Sequence, residues 1–321
     1  MKPSSSLSRR EALQLLAAGT TGLLVGCGRE STSAPVSAAQ PTDGTIDATT
    51  TDAPTENTSR WAMGGTAAMA LKASYPNPFA AAATACDLTC QATEGPCTAD
   101  TAEREDVSES MSGLPVRLVF RVVNEACEPV AGAQLQIWHT QRSGVYSGKT
   151  PSGSFCYGDD PDAENHLYFR GFQTTDADGI VAFDTCFPGW YSSRAPHIHF
   201  QIRVGDDLYL TSQFVFADDL CQEIYGSHPE YSAFGLPDTT LATDTVLGGV
   251  EEPAPYIFDV AHMEDGVMLA SKTIAIRSDL AAELCRAEGG DRGPGGPGGP
   301  PPGGGPPPSG GPPPGGRPPG R

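Results

Sequence analysis

Two histidines one residue apart, His197-Ile198-His199, open a run of alternating residues that ends at Val204. In an extended strand alternate side chains share a face, so both imidazoles point the same way with Cα atoms roughly 6.6 Å apart. That spacing suits two ligands on one metal ion, and imidazole accepts iron, copper or zinc. Alone, such a pair is also what a packed or surface strand displays. Tyr191 lies just upstream, in Phe187-Pro188-Gly189-Trp190-Tyr191, where Pro-Gly makes a turn that aims it back towards the histidines. Tyr146 sits in a Gly-rich loop, Gly144-Val145-Tyr146-Ser147-Gly148, that follows Trp138-His139. A phenol has a pKa of about 10 and ligates only a strong Lewis acid, of which ferric iron is one. Taken singly, both tyrosines also read as core or loop aromatics, and Tyr157 and Tyr168 compete with Tyr146 for a ligand role.

The elements that must position these groups carry a two-residue period. Val116 to Val122 alternates, with arginine at two of the outward positions, and Ala133 to Trp138 alternates again. Asp176-Ala177-Asp178-Gly179 is a hairpin signal before Ile180-Val181-Ala182-Phe183. Leu208 to Phe216 and Val267 to Ile276 add further strands. Many short strands with turn punctuation predict an all-β fold, an antiparallel β-sandwich. Helical signal is confined to short stretches near Ala67–Ala73 and Asp279–Cys285.

Several of these pieces, in this order, resemble the intradiol ring-cleavage dioxygenases, the family of protocatechuate and catechol dioxygenases. They are Trp138-His139 through Tyr146, Phe169-Arg170-Gly171, Thr175-Asp176 to Gly179, Pro188-Gly189-Trp190-Tyr191, and Arg194-Ala195-Pro196-His197-Ile198-His199-Phe200. Thr93-Glu94-Gly95-Pro96 resembles the segment that opens the family's catalytic domain. The resemblance implies four ligands to Fe(III): Tyr146, Tyr191, His197 and His199. It implies Arg194 as a charge-stabilising cation and Gln213, in Thr211-Ser212-Gln213-Phe214, as a residue beside the substrate ring. The expected reaction is cleavage of a catechol-type aromatic diol by O2 between its hydroxyls, giving a muconate-type diacid. By the same analogy Tyr191 leaves the metal when the diol arrives and takes up a proton.

Departures from the family pattern leave the substrate open. Cys97 and Thr98 follow Gly95-Pro96 where aromatic residues are usual in the family. The helical dimerisation region of catechol-type members has no counterpart, so any homo-oligomer would need another surface. The alternative to an enzyme is a non-catalytic, transthyretin-like sandwich that binds a partner at the cell surface. A copper or zinc enzyme is a further rival, to which paired tyrosines are less suited. His139 is read as a buried structural histidine, or else as a donor behind the metal. His166, His228 and His262 are read as surface residues, and Glu94 as structural.

Composition bounds the rest. A net charge of -19, from 39 acidic and 20 basic residues, repels phosphate backbones and argues against a nucleic-acid partner. Arg9-Arg10 followed by an apolar run from Leu13 to Val25 reads as a twin-arginine signal ending in a lipoprotein box. Residues 1–27 thus read as a signal peptide, and the resemblance to a lipoprotein box implies a membrane-anchoring lipid on Cys27. Residues 28–82 read as a flexible linker, 83–288 as the sandwich domain and 289–321 as a disordered Gly/Pro tail. Eight cysteines remain beside Cys27, enough for up to four disulfides in an exported chain, with the pairing open.

Overall fold

The structure, a computed structural model, describes residues 61–80, 86–158 and 160–287. The expected signal peptide and Gly/Pro tail lie outside the described residues. Two four-stranded sheets face each other. One has the order β4 (Ile180–Cys186), β1 (Pro115–Asn124), β8 (Met268–Ile276), β7 (Asp259–His262). The other has the order β3 (Arg170–Thr174), β2 (Gln134–Trp138), β5 (His197–Val204), β6 (Asp207–Val215). Strand pairs are antiparallel except β1 with β8, which run parallel along Val116–Asn124 and Met268–Ile276. The sandwich expected from the alternation is therefore present, with one sheet mixed.

The core lies where the inward faces meet. Val116, Leu118, Phe120 and Val122 of β1 are buried against Leu135 and Ile137 of β2 and Ile198, Phe200 and Ile202 of β5. Phe200 and Phe214 stack at 4.8 Å between ring centroids, and Phe258 closes on Phe214 at 5.4 Å. Burying aromatic rings of this size is the main stabilising contribution to such a core.

Four expectations need correction. The linker reading of 28–82 fails for Trp61 to Phe79, which docks on the sandwich. Met69, Tyr75 and Phe79 cover Val119, Val267 and Leu269 on the outward face of the first sheet, so β1 is buried on both faces. Lys72 pairs with Glu105 at 2.8 Å and with Asp184, fastening the same segment. Asp176 to Gly179 turns locally, with Asp176 N–H donating to Ile180 O at 2.9 Å. Its flanking strands β3 and β4 enter different sheets, so it is a crossover and not a hairpin. Asp279–Cys285 forms no helix; Cys285 is tied to Cys90 and Ala287 N–H donates to Gln91 O. His228 is buried, its Nε2 bonded to Ala62 O at 2.9 Å, because the docked N-terminal segment covers it.

Among the described residues three disulfides form: Cys86–Cys127, Cys90–Cys285 and Cys97–Cys156. Cys186 and Cys221 are buried free thiols, so the fourth bridge allowed by the count is not made. Beyond a one-turn helix α1 (Gly153–Cys156), a ten-residue helix α2 (Asp218–Ser227) packs Cys221, Ile224 and Tyr225 inward. Asp218 and Asp219 in its first turn complement its dipole. Tyr225 Oη donates to Pro188 O and Tyr231 Oη to Phe187 O, both at 2.6 Å. These bonds brace the segment that leads into Tyr191.

Candidate metal centre

His197 and His199 are the first and third residues of β5, on one face as the alternation requires. Strand register sets Trp138 of β2 and Gln213 of β6 opposite His199. The indole lies parallel to the His199 ring at 4.9 Å and fixes its plane. Tyr146 stands in the β2–β3 connection and Tyr191 in the β4–β5 connection. These two loops touch backbone to backbone at Gly189. A Cβ there would lie 2.1 Å from Gln141 O and 2.5 Å from Gly144 N. Thr140 Oγ1 donates to Gly189 O at 2.7 Å and closes the seam.

The four side chains predicted as ligands converge and are all buried. Tyr146 Oη is 3.1 Å from His197 Nε2 and 3.3 Å from Tyr191 Oη. Tyr191 Oη is 3.2 Å from His197 Nε2, which is 3.1 Å from His199 Nε2. Such gaps are the edges expected between donors that share one ion at about 2 Å. Among the described residues no three His, Cys, Asp or Glu side chains form a metal cluster, so the phenols complete the donor set. His197 Nδ1 contacts Ala195 O at 2.6 Å, so Nδ1 carries the proton and the Nε2 lone pair faces inward. His199 Nδ1 is buried without a hydrogen-bond partner.

Electrostatics fit a cation at this point. Burial, aided by the Arg194 charge, pulls the His197 imidazole well below its usual pKa. Burial and then the neighbouring His197 do the same to His199. Both rings are thus neutral, the form that ligates. Burial, and the proximity of Tyr191, push the Tyr146 phenol well up. Burial raises Tyr191 too, against the opposing pull of Arg194. Without an ion, two phenols that resist ionisation stand beside two bare imidazole lone pairs. A strongly Lewis-acidic cation would ionise the phenols, and two phenolates and two imidazoles would suit iron.

Arg194 and Gln213 flank the donors. Arg194 Nη1 lies 3.3 Å from His197 Nε2 and 3.5 Å from Tyr191 Oη, while Nη2 donates to Gln213 Oε1. Gln213 Nε2 donates onward to Thr93 O at 3.4 Å. The guanidinium is oriented by Asp244, at 3.0 Å from Nε. Burial works against the Arg194 charge, but Tyr191 and Asp244 outweigh it and hold the pKa above its usual value.

Sequence reasoning missed two of these neighbours. Asp244 lies in a stretch of Thr, Ala and Asp that carries no periodic signal, and only the fold brings it to Arg194. Arg170 falls in a recognised motif but drew no role; it is fully buried over the Tyr146 ring. The rival tyrosines do not join the donors: Tyr168 Oη accepts from Gln141 Nε2 at 3.1 Å, and Tyr157 Oη from Thr150 N–H at 3.3 Å. His139 is buried behind the site between Thr140 O and Thr185 Oγ1, at 2.8 and 2.7 Å. Glu94 accepts from Gln201 Nε2 at 2.9 Å.

Comparison with known proteins adds three findings. Residues 91–227, which contain all the site residues except Asp244, match the family model described as Dioxygenase. An intradiol ring-cleavage dioxygenase from Tetranychus urticae superposes with a TM-score of 0.54 at 25% identity, covering 62% of this chain and 99% of that one. Catechol 1,2-dioxygenase 1 of Acinetobacter lwoffii is 26% identical over 138 residues, 37% of this chain and 42% of the relative. The chain thus spans less than half of that relative's length.

Proposed function

We propose that the chain, which is similar to the intradiol ring-cleavage dioxygenases, opens a catechol-type diol with Fe(III) and O2 to a muconate-type diacid. The observation that carries this reading is the meeting of Tyr146, Tyr191, His197 and His199 at separations of 3.1–3.3 Å. These four would hold the ion. A ferric ion there would make the bound diol reactive towards O2, so that both oxygen atoms enter the product.

The chain's own residues do the rest. By analogy with the family, Tyr191 is the phenol that meets the incoming diol, and it lies beside Arg194. Burial favours the protonated form of Tyr191. Held as a phenolate by the ion, Tyr191 would for that reason be a strong base, and its oxygen would take a proton from a diol hydroxyl as it leaves the metal. Arg194, fixed by Asp244 and Gln213, places a cation where negative charge develops on the ring. The buried surroundings exclude water and strengthen that interaction.

Three disulfides suit an oxidising compartment. With the twin-arginine pattern they support export, anchored by a lipid on Cys27. A non-catalytic binding sandwich would have no need for four metal donors and a fixed arginine at one point.

The test is oxygen uptake by iron-loaded protein with catechol, protocatechuate and hydroxyquinol, with the product read by its diene absorbance. Uptake of one O2 per ring opened is expected with at least one diol. Protein that binds iron yet consumes no oxygen with any of the three would overturn the reading.

A further inference from the structure

A closed ring of contacts surrounds Tyr146, and the mechanism above does not use it. Tyr146 N–H donates to Cys156 O at 2.8 Å. Cys156 is bridged to Cys97. Cys97 O accepts from Arg170 Nη2 at 2.5 Å, and Arg170 Nε donates to Ser147 O at 2.7 Å, which returns the ring to the residue after Tyr146. We propose that the Cys97–Cys156 bridge and Arg170 are positioning residues that lock Tyr146 for metal binding, an inference that rests on Tyr146 being a ligand.

Three observations favour a positioning role over general support. Arg170 is fully buried, yet among the described residues it has no carboxylate partner. A buried cation without a counter-ion is costly, and its hydrogen bonds go to the backbones that frame Tyr146. Its Cζ lies 5.8 Å from the Tyr146 ring centroid. Cys97, Cys156, Tyr146, Tyr191 and Trp138 form one packed cluster, so the bridge is part of the wall of the metal centre. Cys86–Cys127, by contrast, joins Cys86 to the turn after β1. The loop that carries Tyr146 is long and irregular. Without the bridge and the guanidinium it would have to order on binding the ion, which weakens binding.

The experiment compares wild type, C97A/C156A, R170K and the control C86A/C127A. Two signals are read. One is hydrogen exchange at the Tyr146 amide in metal-free protein. The other is loss of Fe(III) to a competing chelator, followed by the tyrosinate-to-iron visible band. In C97A/C156A the Tyr146 amide is expected to exchange faster, and the ion to be held roughly 10- to 100-fold more weakly with a shifted band. R170K keeps the charge but cannot span both carbonyls, so it is expected to move the same way. C86A/C127A is expected to match wild type in both signals. If the double variant lacks native near-ultraviolet dichroism, R170K decides. Wild-type exchange and iron retention in the folded variants would overturn the proposal. Wild-type protein that takes up no iron would sink the ligand reading and, with it, the claim that the lock serves metal binding. Faster exchange without any iron colour would mark that outcome as a failure of the metal and not of the loop lock.

Discussion

Asp244 and Arg194 are 50 residues apart in sequence and meet as a buried ion pair at 3.0 Å. The same carboxylate oxygen takes the Ala195 N–H at 2.7 Å, and the other takes the amides of Val246 and Leu247 at 2.9 and 2.8 Å. Asp244 therefore folds its own loop and aims Arg194 at the donors in one arrangement. Asp244→Ala leaves a buried guanidinium unpaired and is expected to cost about 3–5 kcal/mol in denaturant unfolding. Asp244→Asn keeps the shape and should cost less. In both, kcat is expected to fall more than KM rises, because in the proposed reaction Arg194 acts on charge that develops during turnover. An unchanged kcat in a folded Asp244→Asn protein would show that Arg194 needs no such guide.

His139 makes stability depend on pH. Burial pulls its pKa down to about 4, while an unfolded chain titrates it near 6.5. Between those values the unfolded state binds the proton and the folded state does not. Stability is therefore present above about pH 6.5 and is lost as pH falls towards 4, by up to about 3 kcal/mol. His197 and His199 are depressed in the same direction and add to the slope in metal-free protein. His139→Gln is expected to flatten the slope of melting temperature against pH between 4 and 6.5. A slope equal to wild type would remove His139 from the account.

What the sequence made legible was local. The period of two in Val116–Val122 and His197–Val204 placed strands, and the same period put both imidazoles on one face. Two features depended on distant chain. The parallel pairing of β1 with β8 joins segments more than a hundred residues apart, and no local pattern encodes it. Trp61, Met69, Tyr75 and Phe79 are too sparse to show a period, yet each finds an apolar surface on the folded sandwich. The site divides the same way. Tyr146, Tyr191, His197, His199, Arg194 and Gln213 stood in recognisable motifs. Asp244 had only its position in the fold to mark it, and Arg170 only its burial.

The two tyrosines should fail differently. Tyr146 is anchored by the Cys156 carbonyl and packed most deeply, so Tyr146→Phe is expected to lose iron and bleach the visible band. Tyr191→Phe leaves three donors and should keep iron with a shifted band. Its kcat is expected to fall roughly 100-fold or more, since the proposed proton acceptor is gone. Tyr157→Phe and Tyr168→Phe should leave the band in place, because both hydroxyls bond elsewhere. A band that moved with Tyr157→Phe would show that the wrong phenol has been assigned.

Gly189 is the point on which the two tyrosine loops are registered. Its backbone lies against the 141–144 loop so closely that a methyl group would overlap Gln141 O, Gly144 N and Arg142 C, all within 2.6 Å. None of these atoms is the end of a flexible side chain, so relief requires one loop to move away from the other. Gly189→Ala changes no charge and removes no donor. It also leaves Tyr225 and Tyr231 free to hold Pro188 and Phe187 from behind. The strain must then fall on the 141–144 side and reach Tyr146 two residues later. The expected outcome is a folded protein, modestly destabilised, whose iron affinity drops and whose tyrosinate band broadens or shifts. Fe(III) titration followed in the visible, with thermal melting alongside, separates the two effects. Wild-type affinity and an unshifted band in Gly189→Ala would mean that the spacing of the tyrosine loops is set elsewhere.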